Sequence, residues 1–286
     1  MLKTVLKYIF FVVVGAFALI GMLFTGVFVA MQFGLLNVRG SSKERDQFFL
    51  PSAPNTSTAS TTLVCTDPAA RACSWSQTPE WSVIKVGIEK DTPILNDVSL
   101  KTGIPERMIV AAVVPEQIRF FTAEREVFKR YFEPLKILGS LSQFSLGVSG
   151  IKQETANRIE EYAASTTSPF YPGAGMQELI AYDPGANHDA ELYARLTDPT
   201  NHYYSYLYTA LFIKEIEAQW QSQGFDASRD PGIIVTLFNI GYQASHPNGD
   251  PGVGGAAITT GGNTYTYGEL GVDFYKSDEL TDIFPR

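Results

Sequence analysis

Ile109, Ala112, Val113 and Glu116 recur at the i, i+3, i+4, i+7 spacing that places side chains on one face of a helix. Three of the four are apolar, so the same face carries Glu116 against a core. Desolvation raises the pKa of a carboxylic acid, which is the property a general acid needs near neutral pH. Pro115 immediately precedes the glutamate. Inside a helix a proline lacks a donor and costs ~3 kcal/mol, and a kink there would aim the carboxylate. The competing reading of Glu116 is a carboxylate near a helix end, ion-paired with Arg119 or Arg125.

Other chemistry-bearing residues read more plainly. His188, His202 and His246 are scattered, without metal-ligand spacing and without a Ser or Cys nucleophile nearby. No metal site and no cofactor is assigned. The loop from His246 to Gly255 has the outline of a calcium loop but lacks its acidic ligands and closing Glu. Tyr203, Tyr204, Tyr206 and Tyr208 share one predicted helix, where they could stack on ring-shaped ligands or fill the core. Tyr265 and Tyr267 alternate with Thr264 and Thr266, as either a groove face or a packing face.

The elements that must position these residues are mostly helical. Thr92-Pro93 opens a helix that closes at Thr102-Gly103, an N-cap with Pro followed by a terminating Gly. Asp198-Pro199 is expected to open a long helix running to Gly224, and Asp230-Pro231 another ending at Asn239-Ile240-Gly241. Residues 105–132 and 151–164 have helical apolar spacing. Strand signals are confined to the tail, where 257–260 and 264–267 flank Gly261-Gly262-Asn263 as a hairpin. The expected class is mainly α with a small C-terminal β-hairpin, plus an N-terminal transmembrane helix.

That last helix is read from residues 8–31, which carry no charge over 24 residues. At ~1.5 Å per residue this crosses a hydrocarbon core of ~30 Å. A cleaved signal peptide has a shorter apolar region and a small-residue cleavage site, so an uncleaved signal-anchor is expected at 1–33. Lys3 and Lys7 before the span nearly balance Arg39, Lys43 and Arg45 after it, and charge alone leaves its orientation open. Residues 34–84 read as a Ser/Thr/Pro-rich tether. It contains Cys65 and Cys73, with a small disulfide loop and two free thiols as alternatives. Residues 85–286 form the expected folded body. The formal charge of −8 and a pI near 5.0 argue against a nucleic-acid partner, for which a basic footprint is required.

Four stretches, in order, carry a family resemblance. Gly103-Ile104-Pro105 with the apolar run into Val114-Pro115-Glu116-Gln117 is the first. Ser145-Leu146-Gly147-Val148-Ser149-Gly150-Ile151-Lys152-Gln153-Glu154-Thr155-Ala156 is the second. Leu196-Thr197-Asp198-Pro199-Thr200-Asn201 is the third, and Leu237-Phe238-Asn239-Ile240-Gly241 the last. Over roughly residues 100–242 the chain resembles a divergent branch of the lytic transglycosylase (SLT) and goose-type lysozyme-like domain family.

The resemblance implies a lysozyme-like helical domain acting on peptidoglycan glycan strands, with Glu116 as the catalytic residue. The implied substrate contacts are Gln117, Ser145, Gly147, Gly150, Gln153, Phe238 and Asn239. A single carboxylate would cleave the bond between N-acetylmuramic acid and N-acetylglucosamine and leave 1,6-anhydro ends. The substrate class implies single-pass plasma-membrane anchoring through 8–31, with the body on the cell-wall side. Protein partners are not assigned.

The chain departs from the family pattern at several positions. Gln117 stands where the family has Ser, and Phe238 where it has Tyr. The Gly-Leu-Met-Gln stretch aligns with either Gly147–Gly150 or Gly150–Gln153. Two alternatives stay open: a hydrolytic muramidase, and a catalytically silent glycan-binding or scaffold module. A hydrolase would want a second carboxylate ~5–9 Å away. Glu124 and Glu126 are candidates for it, or else belong to a solvated face with Arg125, Lys129 and Arg130. A soluble cytoplasmic helical domain is disfavoured by residues 8–31.

Overall fold

The computed structural model describes residues 74–122 and 145–286, together with isolated positions 15, 21, 22 and 25. The expected span at 8–31 lies almost wholly outside the described residues. So do Cys65, Cys73, Glu124, Arg125 and Glu126. Among the described residues no helix is long and apolar enough to cross a membrane.

The described residues are mainly helical, with two small antiparallel two-stranded sheets among them. A 3-10 turn at Trp75–Gln77 precedes α1 (Pro79–Lys90), α2 (Thr92–Thr102) and α3 (Glu106–Thr122). Two short strands follow, β1 (Ser145–Leu146) and β2 (Ile151–Lys152). Then come α4 (Gln153–Ala163), α5 (Met176–Leu179), α6 (His188–Leu196), α7 (Tyr203–Ser222) and α8 (Pro231–Ile240). The hairpin β3 (Ala257–Thr260) and β4 (Asn263–Thr266) leads directly into α9 (Tyr267–Lys276).

Local chemistry accounts for the boundaries. Thr78 caps α1 by accepting the Trp81 N–H, with Pro79 at the first helical position. Gly103 closes α2 at φ +75°, a left-handed conformation that favours glycine. Asp230 accepts from the N–H groups of Gly232 and Ile233 to start α8. Gly261 and Gly262, both with positive φ, form the two-residue turn between β3 and β4.

Helix α7 is buried on almost every side over Ser205–Ile213, so it is the central element. Tyr206 and Tyr208 are core residues rather than a stacking platform. Their hydroxyls donate to the buried Asp91 and to Glu160. Helix α3 packs against α1, α2, α7, α8, β3 and α9.

Several expectations need correction. The body begins before residue 85: Trp75 and Trp81 are buried, and Trp81 packs edge-on against Phe274. Two tryptophans and a capped helix outweigh the polar composition of the adjoining segment. Asp198 does not start α7. Its carboxylate accepts from the Thr200 and Asn201 N–H groups, making a turn ahead of a helix that begins at Tyr203. Tyr267 does not belong to the hairpin. It opens α9, where Thr266 and Glu269 form a capping box.

The last residues are tied to α3 through Arg107, which is 1% exposed. Its guanidinium donates to the carbonyls of Phe274, Tyr275, Ser277, Glu279 and Phe284. Burial lowers the Arg107 pKa, with the nearby charge of Arg286 contributing in the same direction.

Candidate active site

Glu116 lies in the second half of α3 and is 3% exposed. Its Oε1 accepts from Arg119 Nη2 at 2.6 Å, one turn on. The guanidinium provides the opposite charge that a buried carboxylate requires. Burial works to lower the Arg119 pKa, but the charge of Glu116 and the bond to it more than offset this, leaving it raised. Both features read from the sequence are therefore present: a glutamate on a core-facing helix, and an ion pair with Arg119.

Above Glu116 passes the turn between β1 and β2. Ser145 pairs with Lys152 and Leu146 with Ile151, leaving residues 147–150 as the connection. Gly147 and Gly150 adopt φ of +62° and +67°. A β-carbon on Gly150 would lie 2.3 Å from Glu116 Oε1. One on Gly147 would lie 2.0 Å from the Leu196 carbonyl oxygen. Both positions combine a left-handed backbone with contact too close for any side chain.

The turn is held from two sides. Gln117 donates from Nε2 to the Val148 carbonyl. Ser149 Oγ donates to the Ser205 carbonyl at 2.8 Å, and Ser205 Oγ to the Leu196 carbonyl at 3.1 Å. Gln117 thus serves as a buried strut beneath the turn. Of the expected site residues, Glu116, Gln117, Gly147 and Gly150 are brought together, with Ser145 on the strand leading into them.

The remaining expected residues make contacts of their own. Gln153 opens α4 and is half-buried. Phe238 packs against Phe212, with ring centroids 5.0 Å apart. Phe212 also meets Tyr242, whose hydroxyl donates to the buried Glu215. Asn239 Oδ1 accepts the Ala256 N–H at 2.8 Å and so fixes the segment entering β3.

The histidines are likewise separate. His188 Nε2 meets Glu160 at 2.5 Å, His202 Nδ1 meets Asp91 at 2.5 Å, and His246 is exposed. Among the described residues no cluster of His, Cys, Asp and Glu could hold a metal ion.

Tyr267 is a neighbour of Glu116 that motif spacing does not disclose. Its hydroxyl donates to the Ala112 carbonyl at 2.9 Å, and burial followed by the charge of Glu116 raises its pKa. The capping-box pattern Thr266-Tyr267-Gly268-Glu269 was the available signal for where its helix begins.

No family model, no curated protein and no solved structure matches this chain.

Proposed function

We propose that the chain is a peptidoglycan lytic transglycosylase built on a lysozyme-like helical domain, with Glu116 as its single general acid and base. The observation that carries this reading is the seating of a buried glutamate on a proline-bearing helix directly against Gly150, a turn position that admits no side chain. The motif order along the sequence supplies the substrate class.

In this reading Oε1 faces Arg119, and Oε2 is the oxygen that gives and takes the proton. The acid protonates the glycosidic oxygen, and the bond from that oxygen to C1 of N-acetylmuramic acid breaks, leaving a hydroxyl on N-acetylglucosamine. The carboxylate then takes the proton of the muramyl 6-hydroxyl as that oxygen bonds to C1. The 1,6-anhydro ring closes, Glu116 is protonated again, and no water is consumed. Membrane anchoring through residues 8–31, with the body on the cell-wall side, belongs to the same proposal.

Mass spectrometry of products from purified sacculi is the test. Anhydro ends are expected, whereas reducing ends would indicate a hydrolytic muramidase. A reporter fused after Arg286 checks the topology, and activity of a cytoplasm-dependent reporter would overturn it. A second reading, a silent glycan-binding or scaffold module, draws on the closed Glu116–Arg119 pair. Absence of any turnover of sacculi would favour it.

A further inference from the structure

Pro115 has no N–H, so the Ala111 carbonyl loses its intrahelical donor. The next bond along, from the Glu116 N–H to the Ala112 carbonyl, is where Tyr267 enters. The phenolic hydroxyl donates to the Ala112 carbonyl at 2.9 Å, one turn before Glu116. A side chain inserted in the helix ladder is one of the recognised causes of a local bend. Here the added donor falls on the carbonyl one turn before the residue proposed to carry the proton.

We propose that Tyr267 is a positioning residue for Glu116, its hydroxyl bridging the helix where Pro115 opens it and so fixing the aim of the carboxyl. This rests on the reading of Glu116 as the acid and base.

The phenol is itself rigidly held. Tyr267 is 1% exposed and begins α9 behind a capping box. Its N–H donates to the Ala256 carbonyl at 2.9 Å, and the Ala256 N–H donates to Asn239 at 2.8 Å. A path of hydrogen bonds therefore runs from Asn239 through Ala256 and Tyr267 to Ala112, one turn before Glu116. Burial, and then the charge of Glu116, push the phenol well above its ordinary pKa, so it remains a donor. The freed carbonyl of Ala111 faces Gly271 of α9, where a β-carbon would lie 3.0 Å from it. Helix α9 thus covers the position that Pro115 disturbs and the carbonyl next to it.

A double-mutant cycle on the full chain tests this, using Tyr267→Phe, Pro115→Ala and both together. With soluble glycan strands as substrate, Tyr267→Phe should lower kcat by ~10–100-fold with KM nearly unchanged, the scale expected of a misaimed catalytic group. Its Glu116 amide should also exchange faster. In the Pro115→Ala background the Ala111 bond can re-form and brace the helix by itself, so adding Tyr267→Phe should change neither kcat nor exchange appreciably. Unchanged kcat in the Tyr267→Phe protein, or equal losses in both backgrounds, would overturn the positioning role. If the parent protein turns over no glycan, the acid/base reading fails instead. The exchange measurement then still decides whether Tyr267 bridges the helix.

Discussion

The backbone of Gly150 lies against the carboxyl of Glu116, so close that a β-carbon there would sit 2.3 Å from Oε1 and 2.5 Å from the carboxyl carbon. At φ +67° a non-glycine residue also costs ~1–2 kcal/mol. Gly150→Ala should therefore melt earlier yet fold, and should lose turnover of sacculi because the turn or the glutamate must move. Parent-like turnover would separate Gly150 from the site.

Glu116→Gln keeps the shape of the side chain but cannot donate and retrieve a proton. Turnover of sacculi should fall toward the upper end of the ~10²–10⁴-fold range for general acid–base groups. The same change leaves Arg119 with a neutral partner, so the melting temperature should also fall. Digestion rates and thermal melts measured together separate these effects. Retention of more than about a tenth of the activity would exclude the single-carboxylate mechanism, given that range.

Arg107→Lys preserves charge but cannot reach the five carbonyls that the guanidinium satisfies. Hydrogen bonds to charged groups are worth ~1.5–3 kcal/mol each, and several are lost, so destabilisation of ~3 kcal/mol or more is expected. Urea titration checks it. A change below ~1 kcal/mol on that scale would mean that water replaces the lost bonds.

Glu215 gives a pH dependence with a defined sign. Burial raises its carboxyl pKa well above the ordinary value of 4.5, and the bond from Tyr242 only partly opposes this. Its Oε1 has no hydrogen-bond partner among the described residues, as suits a neutral acid. The folded state thus holds the proton more tightly than the unfolded one. The stability this group contributes is complete below pH 4.5 and declines as pH rises toward the folded-state pKa. Melting temperature should fall with pH above 4.5 in the parent protein. That component of the slope should vanish in Glu215→Gln, and an identical slope in both would assign it to other groups.

The helices were legible wherever one local signal decided them. Asp230-Pro231 capped a helix as its spacing indicates, and Thr92-Pro93 with Gly103 framed α2. Glu116 itself was legible because an acid on an apolar helical face behind a proline is locally conspicuous. Asp198 misled because the same Asx chemistry that caps helices also closes turns, and sequence spacing does not distinguish them. The link from Tyr267 to Glu116 was not legible. It joins residues distant in sequence through a gap whose partner no periodicity specifies. Gln117 was expected to touch substrate, but its side chain bonds to the Val148 carbonyl, a relationship visible only once the turn is in place.

The five-carbonyl embrace of Arg107 has a consequence for the order in which the molecule matures. The helix bearing Glu116 is synthesised early, yet its anchoring guanidinium finds its last acceptor only at Phe284. Until that residue has left the ribosome and reached the body, α3 lacks the last of the bonds that tie it to the C-terminal segment. Tyr267, which bridges the same helix, also arrives late in the chain. A nascent polypeptide halted before these segments would already carry its acidic residue but lack the frame that aims it. The frame around Glu116 is thus complete only when these late segments have joined the body.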